Sequence, residues 1–395
     1  MSDGAHGSTG TSSSAPRAAL VPLYAAGFVT AFGSHGIAAN LGFTGDLDEQ
    51  LLTLGILLAL YDGAEIVLKP VFGALADHVG LRPVLLGGLF AFAVASAAFV
   101  LVGNPALLGV ARFAQGAAAA AFSPSAGALI GRIAPQRGQG RAFGSYGAWK
   151  GLGYTAGPLL GGVLVALGGY PVLFTVLTVL AVAVFVWAVV VVPSPPPLPR
   201  RRQGLGQALR GLADPGFLPP TLALASSAAA LSCGVGFLPL VGAADGLSPV
   251  ATGAAVSVLA VVAAVSQPVV GRLRDAGRMP DRTALVVGTL LTALGLALPA
   301  VVGHLVGLLV AAVVIGAGTA VITPVAFAVL AASSPTERLG QTMGSAEIGR
   351  EFGEAGGPFL TGLIAAGFGL GGGFLGIAVI VALTALGGLR MRRTA

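Results

Sequence analysis

The sequence predicts an all-α polytopic membrane protein, with twelve transmembrane helices arranged as two homologous six-helix bundles. Three observations carry this. The 395 residues are 55% hydrophobic and only 9% charged, with mean hydropathy +0.91, whereas a soluble domain carries about 25% charged residues. Apolar runs long enough to cross about 30 Å of hydrocarbon recur along the whole chain. The second half of these runs repeats the first in sequence.

The elements follow in order. Residues 1–18, rich in Ser, Gly and Thr, read as a disordered N-terminal segment without the basic lead and cleavage site of a signal peptide. Spans one to six are expected at 19–42, 51–75, 83–103, 105–132, 141–168 and 170–193, giving an N-terminal bundle over 19–193. The connection 194–216, Pro-rich and then basic, reads as an extended interdomain linker able to rest on anionic lipid. Spans seven to twelve are expected at 217–242, 250–272, 283–303, 305–332, 341–367 and 369–389. They form a C-terminal bundle over 217–390, followed by a basic tail, 391–395.

Charge sets the orientation. Of 21 Lys and Arg, four (Lys69, Arg112, Lys150, Arg350) fall inside spans, and the rest lie at the termini, in even-to-odd loops or at the span ends bordering them. The opposite loops carry acids instead: Asp46, Asp48, Glu49 and Asp245. Both termini are therefore expected in the cytoplasm, in a multi-pass plasma-membrane protein. The same distribution accounts for a pI near 10.1 without a nucleic-acid partner, for which neither a motif nor a basic patch is present. The single Cys233 excludes an intrachain disulfide.

Enzyme chemistry finds no foothold. The histidines, at 6, 35, 78 and 304, lack metal-ligand spacing, and the Gly-rich stretch 144–153 lacks the strand-turn-helix setting of a phosphate loop. The expectation is no enzyme, no cofactor and no metal, but a protein working with a small-molecule substrate, protons and the bilayer, as a monomer.

The repeat is read directly. At an offset of 200, Ser123-Pro124 becomes Thr323-Pro324, Gly144-Ser145 becomes Gly344-Ser345, Lys150 becomes Arg350, and Gly157-Pro158 becomes Gly357-Pro358. At an offset of 198, "KPVFGALAD" (69–77) becomes "QPVVGRLRD" (267–275). Two homologous six-helix halves mark a secondary transporter with its site between them.

Three motifs give the halves a resemblance. "GALADHVGLRP", with Gly73, Leu75, Asp77, Gly80 and Arg82, resembles the loop signature between spans two and three of the major facilitator superfamily. "RFAQG" (112–116) resembles its buried span-four motif. "GLGYTAGPLLGG", with Gly153, Gly157, Pro158, Gly161 and Gly162, resembles the span-five pattern of its drug:proton antiporter branch. The resemblance covers nearly the whole chain and implies the major facilitator fold, with proton-coupled efflux by alternating access. The chain departs from the pattern at His78 and Leu81, which replace loop cations, and in lacking a carboxylate in span one.

Candidate residues follow from chemistry. Glycines 153, 157 and 161, four apart, form a smooth face for close helix packing, and Pro158 permits a bend; "GEAGGP" in span eleven is expected to act likewise. Asp62, Glu65 and Lys69 share one face of span two, and Glu347, Arg350, Glu351 and Glu354 one face of span eleven. Such charges are costly in a membrane and mark ion pairs or proton carriers. The superfamily fold implies that the two faces meet, pairing Lys69 with Glu351 or Glu354, and Arg350 with Glu65. Proton-coupling candidates are Glu65 first, then Asp62 and Glu354, with Glu351 and Arg112 in support; the resemblance has Arg112 tuning a proton site or fixing span one. Asp77 is expected to cap the positive end of span eleven. Cavity candidates are Ser34, His35, Asn40, Gln115, Tyr146, Trp149, Ser232, Thr319 and Phe327, with Tyr154, Ser226 and Ser227 beside them. The mostly apolar wall suits a lipophilic or amphipathic solute; a proton-coupled importer and a non-transporting receptor or scaffold are the alternatives.

Overall fold

A helical run of 56 residues, such as Gln136–Val191, would extend about 84 Å at 1.5 Å per residue, nearly three times the hydrocarbon thickness. It has to double back. In the computed structural model, which describes residues 17–40, 47–101, 105–195 and 216–389, helix Gln139–Val191 breaks at Gly168 and Gly169, the latter at φ 72°, and helix Leu339–Leu389 breaks at Gly369, φ 73°. Only glycine adopts this conformation without strain. Each run is thus two spans joined by a glycine corner.

The remaining helices are single spans: Val21–Asn40, Leu47–Val79, Leu81–Leu101, Pro105–Ile133, Leu218–Ala244, Pro249–Asp275, Asp281–Ala297 and His304–Ser333. Eight described helices are long and apolar enough to cross a membrane. Two of those are the doubled runs. Leu47–Val79, which carries Asp62, Glu65 and Lys69, and Pro105–Ile133, which carries Arg112 and Gln115, are not among the eight. The linker 196–215 and the tail 390–395 lie outside the described residues, as do the side chains of Asn40, Asp48 and Glu49.

Small residues set the packing inside each half. In the first, a Cβ on Gly153 would stand 2.8 Å from the Ala31 methyl, and one on Gly157 would stand 2.8 Å from the Phe32 carbonyl oxygen. Span five therefore lies directly on span one. In the second half the equivalent glycines press on span seven, Gly353 on Ala225 and Gly357 on Ala229, each with a backbone atom 2.7 Å from the added carbon. Gly161 is buried and Gly162 half-buried. The chain stays helical through Pro158, and the corner is at Gly168–Gly169. Aromatic pairs such as Phe99 on Phe174, 4.5 Å between ring centres, fill the core.

The halves join where spans two and eleven cross and where spans five and eight cross. Both crossings lie at the end of the molecule that carries the basic loops.

Candidate functional site

The first four N–H groups of any helix lack an intrahelical partner and carry partial positive charge. At each crossing an aspartate supplies what they lack. Asp77, ending span two, accepts from the amides of Gly340 and Gln341 at the start of span eleven, both at 2.8 Å. Asp275, ending span eight, accepts from Gly140 and Arg141 at the start of span five, also at 2.8 Å. One turn inward the backbones touch: a Cβ on Gly73 would sit 2.5 Å from the Gly340 carbonyl oxygen, and one on Gly140 would sit 2.6 Å from that of Gly271. The second aspartate was legible in the sequence only through the 198-residue offset. Gly80, at φ 121°, turns the chain between spans two and three. Arg82 donates to the Val189 carbonyl at 2.6 Å, tying span three to the end of span six.

A layer of buried charge lies just beyond the first crossing. Lys69, fully buried, sits 2.7 Å from Glu351, 3.2 Å from Glu65 and 3.6 Å from Glu347. Lys150 of span five donates to the same Glu347 at 3.2 Å. Arg350 spreads its fork over Glu347 at 3.2 Å, Glu354 at 2.7 Å and the neighbouring Glu351. Lys69 and Glu351 are thus in contact, while the expected Arg350–Glu65 pair is replaced. Arg350 has three glutamates within one turn of its own helix and reaches them without crossing the interface; Glu65, four residues before Lys69, closes on that lysine. Lys150 had no partner assigned from sequence, because nothing local shows which helix its face meets.

Polar groups regain exposure away from the layer. Asp62 is exposed, and His35 stands 3.6 Å from Glu354, with 37% and 26% of their side chains accessible. His35 also meets the Ser34 hydroxyl at 2.9 Å and the edge of the Tyr154 ring, 4.3 Å between centres. Glu65, Lys150, Arg350, Tyr61, Tyr154 and Ser34 line one small polar cavity. Spans one, two, five and eleven together supply proton-exchanging groups, fixed cations and a water-sized space.

Several cavity candidates lie elsewhere. Gln115 is buried, accepting from Arg112 at 3.0 Å and donating to Ser96 at 3.3 Å, and Arg112 stacks over Tyr61 at 4.5 Å. The described partners of Arg112 are therefore in spans two and four, not span one. Thr319 is buried and donates to its own helix at Gly316. Phe327 stacks on Phe143 at 5.7 Å across the interface, plugging the closed end, and the Tyr146 ring is buried against Gly27. Trp149 is exposed on the outer apolar face with Leu152, Leu160 and Val163. Ser226 and Ser227 bridge to Thr384 and Thr323 at 2.7 and 3.3 Å, and Ser232 is half-buried. Ser226 and Ser227 thus bridge helices rather than face a solute, as a buried polar group finds its partner on the nearest helix.

Comparison with known proteins agrees with this architecture. The model of the Major Facilitator Superfamily matches residues 23–276 and 220–394. An uncharacterized MFS-type transporter of Mycobacterium tuberculosis is 36% identical over 156 residues, 38% of this chain and 22% of that protein. The Multidrug resistance protein MdtG of Erwinia billingiae is 28% identical over 145 residues, 36% of this chain and 35% of the relative. The class C Tetracycline resistance protein of Escherichia coli is 38% identical over 115 residues, 29% of this chain and 28% of the relative. The matched stretches thus span 22% to 35% of these relatives' lengths. Among solved structures, the human organic anion transporter MFSD10 aligns with TM-score 0.80 at 16% identity, over 94% of this chain and 99% of that one. The E. coli fucose:proton symporter FucP aligns at 0.77 and 13%, over 95% and 98%. At those identities the likeness is one of fold.

Proposed function

This chain belongs to the Major Facilitator Superfamily, and from that premise we propose that it is a secondary active transporter exporting a lipophilic or amphipathic small molecule in exchange for protons. The observation that carries the reading is the buried layer joining the halves through Lys69, Lys150, Glu347 and Glu351. Rocking the halves apart exchanges these partners, and a carboxylate that loses its cation binds a proton. Alternating access then couples proton movement to whichever side the cavity opens. Relatives named for multidrug, tetracycline and quinolone resistance support a lipophilic solute. By the positive-inside rule the closed end faces the cytoplasm, so this is an outward-facing state.

The test uses inverted membrane vesicles holding an acid-inside gradient, with tetracycline, a quinolone and ethidium as probes. Adding a transported probe is expected to discharge the gradient, and cells overproducing the protein to accumulate less of it. Accumulation that rises on overproduction would make the protein an importer. No proton movement and no change in accumulation across a broad panel of amphipathic compounds would overturn transport of this class.

A further inference from the structure

The two halves hold unequal charge at the layer. Span eleven carries three glutamates, Glu347, Glu351 and Glu354, but one cation, Arg350. Its other counter-charges are borrowed: Lys69 reaches Glu351 at 2.7 Å and Glu347 at 3.6 Å, and Lys150 reaches Glu347 at 3.2 Å. Lys69 also has a partner of its own helix, Glu65, at 3.2 Å. The two sides are therefore not equivalent when they part. Separation at this end leaves Glu65 with Lys69, while span eleven keeps Arg350 against three carboxylates, two negative charges in excess. An uncompensated charge at membrane depth is strongly disfavoured.

Resting on the proton-coupled reading above, we infer that the coupling protons are taken by span eleven, up to two per opening of the basic end, with Glu347 and Glu351 as acceptors. Glu65 is then the standing partner of Lys69. The groups facing the two acceptors are Asp62, Glu65 and Lys69 of span two and Tyr146, Lys150 and Tyr154 of span five. Arg350 and Glu354 flank them on their own helix, and His35 of span one contacts Glu354. Arg112 of span four meets Gln115 and the Tyr61 ring instead. Span seven, on the opposite side of span eleven, meets it through Thr221, Ala225 and Ala229, and further along through Cys233, whose thiol lies 3.2 Å from the Thr361 hydroxyl. Of the groups that depart with the other half, Lys69 and Lys150 are the ones in direct contact with the two acceptors.

The experiment follows opening directly and needs no substrate. Spin labels on His78→Cys and Arg278→Cys, exposed at the basic end of opposite halves, in a Cys233→Ala background in lipid nanodiscs, report the open-to-closed ratio across a pH series. Each proton bound on opening changes that ratio about tenfold per pH unit, increasing it as pH falls. The wild type should approach about a hundredfold per unit at its steepest. Glu351→Gln and Glu347→Gln should each halve the logarithmic slope, and the double variant should be open and flat. Lys150→Gln should also lower the slope, because Glu347 then lacks that cation in both states; it serves as a check should a glutamate variant fail to fold. Glu65→Gln should retain the wild-type slope. A pH-dependent wild type whose response is lost in Glu65→Gln and kept in the Glu347/Glu351 double variant overturns this inference alone. A wild type that opens without pH dependence overturns the proton-coupled reading together with it.

Discussion

The two crossings that close the molecule have the same backbone and different chemistry. At one, Asp77 caps span eleven above the Gly73–Gly340 contact; at the other, Asp275 caps span five above Gly271–Gly140. Gly344 lies on the carbonyl of Lys69, and Gly144 lies on that of Gln267. Inward of these points the likeness ends. Lys69 faces Glu351, Glu347 and Glu65, whereas Gln267, its counterpart, is buried with its side-chain oxygen unpartnered against Gly147, the counterpart of Glu347. The repeat preserved the shape of a latch twice and placed charge in one copy. Closure is thus a shared task of both crossings, while the buried layer of charge belongs to the first.

The largest effect should come from making the first crossing resemble the second. Lys69→Gln leaves three carboxylates short of a cation, and removing one partner of a buried pair costs about 3–5 kcal/mol. A large fall in thermal midpoint in detergent, with loss of pH-driven transport, is expected; a midpoint like the wild type would make the layer dispensable to stability. Bulk at the glycine contacts comes next. Gly340→Val and Gly140→Val should each cost about 1–3 kcal/mol of the closed state, seen as raised labelling of a cysteine introduced beside the contacts at the basic end, and similar increases for both would establish that the latches share the load. Asp77→Asn and Asp275→Asn keep one acceptor and lose a charge-assisted one, worth about 1.5–3 kcal/mol at most. Each should shift the population toward the state open at the basic end; a shift for Asp77 alone would mean the second latch is passive. The smallest effect is at Gln267→Met, where an unpaired oxygen is replaced by an apolar group of similar length. Stability should be unchanged or rise by less than about 1 kcal/mol, and transport should persist.

Some of the site was open to sequence reasoning because its rules are local. Spacings of three and four put Glu347 and Glu354 beside Arg350, and Glu65 beside Lys69, since residues that far apart are neighbours on any helix. The four-residue glycine period likewise showed that span five has a face for close packing, though not that Phe32 and Gly36 of span one occupy it. The assignment of Arg350 to Glu65 failed where locality ends: it required the depth and crossing of two helices some 280 residues apart in sequence. Phe327, read as a wall residue, is part of the closed plug for the same reason, as its ring finds Phe143 of the other half.

The sequence by itself determined the solvent, the succession of the spans, the repeat, and even the corners at Gly169 and Gly369, which fall between the expected spans five and six and within two residues of the boundary of spans eleven and twelve, whereas the helix limits differ, Leu47–Val79 running four residues beyond the expected span at each end. Hydropathy and backbone dihedrals are properties of contiguous residues, so contiguous sequence suffices to read them. Only the tertiary structure decided that Lys150 joins the charge layer, that Asp275 caps the amides of Gly140 and Arg141, and that span eleven depends on cations from the other half. Ion pairing falls off with distance and needs good geometry, and across this interface both are set by how two separately folded bundles meet.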